Sequence, residues 1–324
     1  MSVPTRVRLI DRVVYWAARG AIGVAARVPE RLGYGVAGWL GRVFFRCAPR
    51  RRRYALHFLK NAYPDKSEAE LLRLGARATG NVFQVPLDMA RLTRLLARGG
   101  RLEDVLDYTA AEASLRTEQP YLAVTAHLGS WEMAAAGMAN RAGEAHGIAK
   151  VSRNPLLQHW ILANRERAGL MIHPRRGGVR GLARAMARGA VGLQVVDQNQ
   201  RLRGVFAPFF GEVASCERAA VTLCLRNAYP LIVGAALRVD GRFRFRLVLL
   251  PPFVPERTGD KGGDLYRGVV AVNERLEQLI RMAPEQYLWI HNRYRKKPPA
   301  DWRPGADVDD GSDGESDAGE ERDE

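Results

Sequence analysis

From Pro120 onward the chain alternates short β-rich runs with helical stretches, and that alternation restricts it to a layered α/β architecture. YLAVTA at 121–126, VGLQVV at 191–196, PLIVGAAL at 230–237 and RFRFRLVLL at 242–250 have strand composition. Residues 131–140, 155–168, 178–188 and 213–227 carry helical patterns, and further helices are predicted near 264–282 and 284–294. Strands joined through helices pair in parallel, so a mostly parallel sheet flanked by helices is expected. From Tyr54 to Ala97 the pattern is mainly helical, broken at Tyr63-Pro64-Asp65, where Ser67 followed by Glu70 offers a capping box.

Charge is distributed unevenly. The last residues, 301–324, hold seven Asp and four Glu against Arg303 and Arg322, a net −9, so the chain's +15 total places +24 on residues 1–300. Such a body attracts anionic lipid, nucleic acid or an acidic protein, whereas the tail has the composition of a disordered segment. Within residues 8–27, Arg8, Arg12 and Arg19 share one helical sector, and Ile10, Val13, Val14, Ala17, Ala21 and Val24 lie across from them. That is the pattern of a helix lying in a membrane interface, or of one packed on the domain with a basic outer face. Residues 31–47 continue apolar and glycine-rich, and an arginine block ending at Arg53 follows, well suited to lipid headgroups. Three parts are therefore expected: an amphipathic membrane-proximal segment at 1–48, an α/β domain at 49–300 and an acidic disordered tail at 301–324.

No run reaches eighteen uncharged apolar residues, and Asp11, Arg12 and Arg19 interrupt the first apolar stretch. A membrane-spanning helix and a cleavable signal peptide are both disfavoured, and a peripheral protein facing the cytoplasm is expected. Cys47, Cys216 and Cys224 have neither an even count nor C-x-x-C spacing, so no disulfide framework is indicated. His57, His146, His159 and His173 lack partners at ligand spacing, and no metal site is expected.

The sharpest chemical feature is T-A-H-L-G-S-W-E at 125–132, where a predicted strand ends and a helix begins. Positions five apart on one helix do not face each other, so His127 and Glu132 can meet only across a bend supplied by Gly129 and Ser130. With Ser130 as N-cap, a Glu132 carboxylate could orient the imidazole as a general base, and the helix start offers N–H donors for an oxyanion. The sequence-only alternative is a surface histidine beside a helix-dipole glutamate.

Five blocks in order resemble the bacterial lipid A biosynthesis acyltransferases, the lauroyl/myristoyl transferases of the lysophospholipid acyltransferase superfamily. They are RRRYALHFLKNAYPDKS at 51–67, HLGSWE at 127–132, KVSRNP at 150–155, VVDQNQRLRGVFAPFFG at 195–211 and PEQYLWIHNRYRKKP at 284–298. The resemblance implies a glycerol-3-phosphate acyltransferase-like layered fold and transfer of an acyl chain from a thioester to a lipid hydroxyl. It also implies His127 as base, Glu132 as its support, and Arg153, Asp197, Gln198 and Arg238 as residues that position the acceptor. The thioester is a co-substrate and no bound cofactor is implied. Acyl carrier protein is the expected donor, with acyl-CoA as the second choice. The expected acceptor is a lipid A precursor at the cytoplasmic face of the inner membrane, or another glycolipid such as a phosphatidylinositol mannoside. One departure bears on the acceptor: Ser215-Cys216-Glu217-Arg218 replaces the Thr and Gly usual after P-F-F-G. Trp289, His291, Arg293 and Arg295 read as a docked C-terminal helix with a basic face. A basic nucleic-acid-binding protein is the rival class, disfavoured because its arginines are scattered and no binding motif is present.

Overall fold

The computed structural model describes residues 7–149, 152, 154–174 and 177–305. Four helices come first: α1 (Leu9–Ala25), α2 (Glu30–Cys47), α3 (Pro49–Ala62) and α4 (Glu68–Ala97). Ser67 caps α4 in the expected box, its hydroxyl accepting from the Glu70 N–H while the Glu70 carboxylate accepts from the Ser67 N–H. Helices α2 and α4 cross at backbone contact. A Cβ on Gly41 would lie 2.6 Å from the Thr79 carbonyl oxygen, so only glycine permits that approach.

A seven-stranded sheet follows, in the order β1-β9-β8-β2-β5-β3-β4. In chain order the elements are β1 (Leu106–Asp107), α5 (Glu112–Leu115), β2 (Leu122–Thr125), α6 (Trp131–Ala142), β3 (Ala145–Ile148) and α7 (Pro155–Arg167). They continue as β4 (Leu170–His173), α8 (Gly178–Met186) and β5 (Val191–Val195). The hairpin of β6 (Val205–Phe209) and β7 (Glu212–Cys216), α9 (Ala219–Asn227), β8 (Leu231–Arg238), β9 (Phe245–Leu249) and α10 (Lys261–Met282) complete the chain. All sheet pairings are parallel except β8 with β9, as the strand–helix alternation requires.

Alternation along β2 explains the two-sided core. Leu122 and Val124 pack into a cluster with α9, α10 and the hairpin, while Ala123 faces the α6 side with Met133 and Met138. Both faces are covered, so β2 and β8 are largely buried and apolar up to their last residues.

Two sequence expectations are corrected. The helix expected over 213–227 begins as β7, because its first residues pair with β6, and becomes helical only at Ala219. The helix expected near 284–294 is one 3-10 turn, Pro284–Gln286, followed by non-helical chain, because Gln286 and Leu288 bond to the loop after β2 and the remaining bonds are short-range turns such as Trp289 N–H to the Tyr287 carbonyl.

No described helix is long and apolar enough to cross a membrane. Instead α1 leaves Leu9, Ile10, Val13 and Trp16 exposed, and α2 exposes Leu32, Val36, Trp39 and Leu40. Residues 306–324, the greater part of the acidic tail, lie outside the described residues.

Candidate active site

Strands β2 and β5 are parallel neighbours with Thr125 opposite Val195. Two residues past each strand end stand His127 and Asp197, which the shared register therefore brings side by side. One Asp197 carboxylate oxygen accepts the His127 backbone N–H at 3.0 Å, and the other lies 2.7 Å from His127 Nδ1. Burial and the charge of the same carboxylate hold the Tyr287 hydroxyl well above the usual tyrosine pKa.

Asp197 is 2% exposed. Burial alone would favour its neutral acid, but the charge and hydrogen bonds of His127 outweigh it and bring its pKa to about 2. An ionised Asp197 obliges Nδ1 to donate, so Nε2 bears the lone pair of the neutral ring. Burial also favours the neutral ring, yet the Asp197 charge and hydrogen bond, with the Glu132 charge behind them, raise the His127 pKa above 6.5. The result is a strengthened base with a fixed tautomer. Its Nε2 is 3.3 Å from the exposed Gln198 amide, which stands where an incoming hydroxyl would dock.

The His127 loop is held on several sides. The Leu288 N–H donates to the His127 carbonyl at 3.1 Å, and the Trp131 ring packs 4.8 Å from the imidazole. Gly129 adopts a φ of +59°, and a Cβ there would lie 2.1 Å from the Ala236 carbonyl oxygen. No L side chain fits.

Gly129 and Ser130 form the bend between β2 and α6, but their backbone N–H groups are not open to an oxyanion. The Gly129 N–H donates to the Gln286 carbonyl and the Ser130 N–H to the Ala236 carbonyl, so neither is available. Ser130 occupies the N-cap position of α6 without a side-chain cap bond, and its buried hydroxyl has no partner among the described residues.

Glu132 is not the imidazole's hydrogen-bonding partner. Its carboxylate forms a two-pronged pair with Arg165 of α7 at 2.5 and 3.1 Å, since α6 already starts at Trp131 and points Glu132 sideways. Asp197 takes the position expected for Glu132 instead of meeting an acceptor. Arg238 is also reassigned: its side chain is 2% exposed and grips Asp88 of α4 at 2.5 and 2.8 Å. Tyr34 donates to that same carboxylate, and the guanidinium packs on the rings of Tyr34 and Phe245. Arg238 is thus a buried tie between α4 and the end of β8, closed to a ligand. Arg153 lies outside the described residues.

The C-terminal segment was read as a basic face, yet Trp289 and Arg293 are each 1% exposed. Arg293 donates to the carbonyls of Gln198 and Ser215, which fixes the loop carrying Gln198. His291 accepts the Asn199 N–H on Nε2, and burial pushes its pKa down to about 4, keeping it neutral. The signal for Asp197 was present but hidden: both Asp197 and His127 sit at the same offset from a strand end.

Beside this pair an apolar cavity, half open to solvent, runs between α6 and the sheet. Thr125 and Trp131 line it near His127, and Met138, Leu170, Leu247 and Leu249 line it farther in. The Glu132–Arg165 pair stands in its wall. A basic nitrogen close to an apolar cavity can deprotonate a hydroxyl while a hydrocarbon chain is held in the interior.

The sequence model of the bacterial lipid A biosynthesis acyltransferase family matches residues 2–296. The chain is 23% identical over 297 residues to the lipid A biosynthesis lauroyltransferase of Escherichia coli (strain K12), covering 87% of this chain and 92% of that one. It is 23% identical over 299 residues to the lipid A biosynthesis myristoyltransferase of the same organism, covering 89% of each. With the lipid A biosynthesis palmitoleoyltransferase of that organism it shares 29% identity over 148 residues, 45% of this chain and 46% of the other.

Proposed function

The chain belongs to the bacterial lipid A biosynthesis acyltransferase family and is an acyltransferase, and we propose that His127 and Asp197 carry its chemistry on a lipid A precursor. The observation that supports this most is the fixed Nδ1–Asp197 bond, which leaves the Nε2 lone pair to act as a base, with Thr125 and Trp131 on either side of His127 lining an apolar cavity. In this reading the acceptor hydroxyl displaces Gln198 from Nε2 and gives up its proton as its oxygen attacks the thioester carbonyl. A tetrahedral oxyanion forms against first-turn N–H groups of α6, which no intrahelical carbonyl can satisfy. Collapse breaks the carbon–sulfur bond, and the imidazolium returns the proton to the leaving thiolate. Asp197 orients the ring and stabilises its charged form. Glu132 contributes at a distance through its charge.

The acyl chain occupies the cavity under α6. Acyl carrier protein is the donor of choice, since it is acidic and the body of this chain is strongly basic. The protein works at the cytoplasmic surface of the membrane, with the exposed apolar residues of α1 and α2 in the interface. The layered core is that of the glycerol-3-phosphate acyltransferase-like fold.

The test is to incubate the purified full-length protein with acyl carrier thioesters or acyl-CoA and a panel of glycolipids, then weigh the products. Acylated lipid A precursor, absent with His127→Ala, is the expected outcome. Acylation only of a different glycolipid would refute the acceptor, and a His127→Ala rate above about a tenth of wild type would refute the base.

A further inference from the structure

Outside the catalytic centre, seven basic side chains line a cleft between α2, α3 and α4. It holds about 1990 Å³ of space, open solvent included. Arg42 and Arg46 enter it from α2, Arg52 and Arg53 from α3, and Arg73 and Arg77 from α4, with Lys66 at the turn between α3 and α4. Glu68, Glu70 and Glu285 are the acidic residues of its lining. Two of them are engaged elsewhere: Glu68 with Lys60, and Glu70 with its capping partner Ser67. Among the described residues none of the six guanidinium groups forms an ion pair with a carboxylate.

Arg42 and Arg46 lie four apart on one helix, as do Arg73 and Arg77 on another. Like charges at that spacing destabilise a helix, so three helices converge cations at a local cost. Between the arginines the cleft is apolar, with Phe45, Leu56, Leu72 and Leu74 in its lining. Its basic rim continues along α2 into the exposed Trp39, Leu40 and Phe44. Guanidinium groups recognise phosphate through paired N–H donors, and the apolar floor and neighbouring exposed apolar residues suit a ligand with a hydrocarbon part. The concavity fits a headgroup better than the convex face of a folded protein. The far wall, Pro284–Glu285, adjoins Gln286, whose carbonyl holds Gly129 two residues from His127.

We propose that the arginine cleft between α2, α3 and α4 binds the phosphate groups of a membrane glycolipid and so positions the acceptor for acylation. The inference rests on the reading of the protein as a glycolipid acyltransferase and adds the place where the acceptor's phosphates are held.

The probe is binding of the full-length chain to phosphatidylcholine vesicles doped with a bis-phosphorylated diglucosamine lipid. Parallel vesicles carry the same lipid after phosphatase treatment, or phosphatidylglycerol at matched charge. The wild type is expected to prefer the phosphorylated glycolipid. Arg73→Gln with Arg77→Gln, both on the exposed side of α4, should weaken that binding about thirtyfold. A charge-matched control, Arg98→Gln with Arg116→Gln, lies outside the cleft and should retain the preference. Equal wild-type binding to all three vesicles would overturn the proposal, as would a preference that survives in the Arg73/Arg77 variant. A variant that loses capture by immobilised acyl carrier protein while keeping the lipid preference would reassign the cleft to the carrier. Because binding is read without turnover, selective binding with no acylation would refute the acyl-transfer reading and leave the cleft standing.

Discussion

Replacing Asp197 by Asn tests the core of the mechanism, because the hydrogen-bond pattern around it leaves the amide no satisfactory arrangement. The carboxylate accepts from His127 twice, at the backbone N–H (3.0 Å) and at Nδ1 (2.7 Å). An amide has one acceptor and one donor end. If its oxygen faces the backbone N–H, its NH₂ faces Nδ1, which must then accept, and the ring proton moves to Nε2, where it blocks the base. If it is flipped, the NH₂ points at the backbone N–H, and a buried donor loses its partner. The first arrangement costs the reactive tautomer and the second costs stability. A base in the wrong tautomer forfeits general base catalysis, so kcat should fall about 10²- to 10⁴-fold. The pH profile supplies a second reading. His127 acts as base when neutral, so activity rises with pH through its pKa, which Asp197 holds above 6.5. Removing that charge lowers the pKa, and the acid limb of the residual activity should move to lower pH. Steady-state kinetics of acyl transfer from pH 5 to 9, with thermal denaturation as a folding control, measure both. An Asn variant that folds, keeps more than about a tenth of the wild-type kcat and leaves the acid limb in place would refute the assignment.

Glu132→Gln should cost less than about tenfold in kcat and move the acid limb slightly downward, because Glu132 reaches His127 only through its charge; a loss matching Asp197→Asn would restore it as the direct partner. Asp88→Ala should destabilise by about 3–5 kcal/mol in denaturant titration, since it strands the buried Arg238 charge, whereas joint replacement by apolar residues should recover most of that. Stability close to wild type for Asp88→Ala would mean that the pair contributes nothing to the fold. Gly129→Ala places a Cβ 2.1 Å from the Ala236 oxygen at a φ of +59° and should lower the melting temperature and abolish turnover. A normal melting temperature would show that the turn can relax. Trp16→Ser on α1 should reduce partition onto phosphatidylglycerol vesicles about tenfold or more by removing an exposed ring from the apolar face, and unchanged co-sedimentation would move the membrane contact elsewhere.

Much of the architecture was legible because it rests on local chemistry. The parallel sheet follows from strand runs separated by helical ones, and the start of α4 follows from Ser67 and Glu70, whose cap closes within a single turn. The helix over 155–167 fell close to expectation because Asn154 caps it with Pro155 in its first turn, and the helix over 261–282 because its periodic pattern is long. The hairpin of β6 and β7 was less legible, since a helix and a strand share short apolar runs. His127 stood out for the same local reason: a basic residue at the junction of a strand and a glycine turn.

What the order of residues determined by itself, then, is the class of fold, the strand-end histidine and the blocks that resemble a family of acyltransferases. The partners of the charged groups were decided only in three dimensions. His127 and Asp197 are 70 residues apart and meet because β2 and β5 are neighbours in register, which depends on strand order rather than on any local preference. Arg238 and Asp88, 150 residues apart, neutralise each other because α4 packs across the end of β8. Glu132 turned to Arg165 for a similar reason, because a largely buried carboxylate on α6 needs a counter-charge and α7 supplies it. A hydrogen bond or ion pair formed in the interior takes its strength from the water that packing excludes, and packing is a property of the assembled layers.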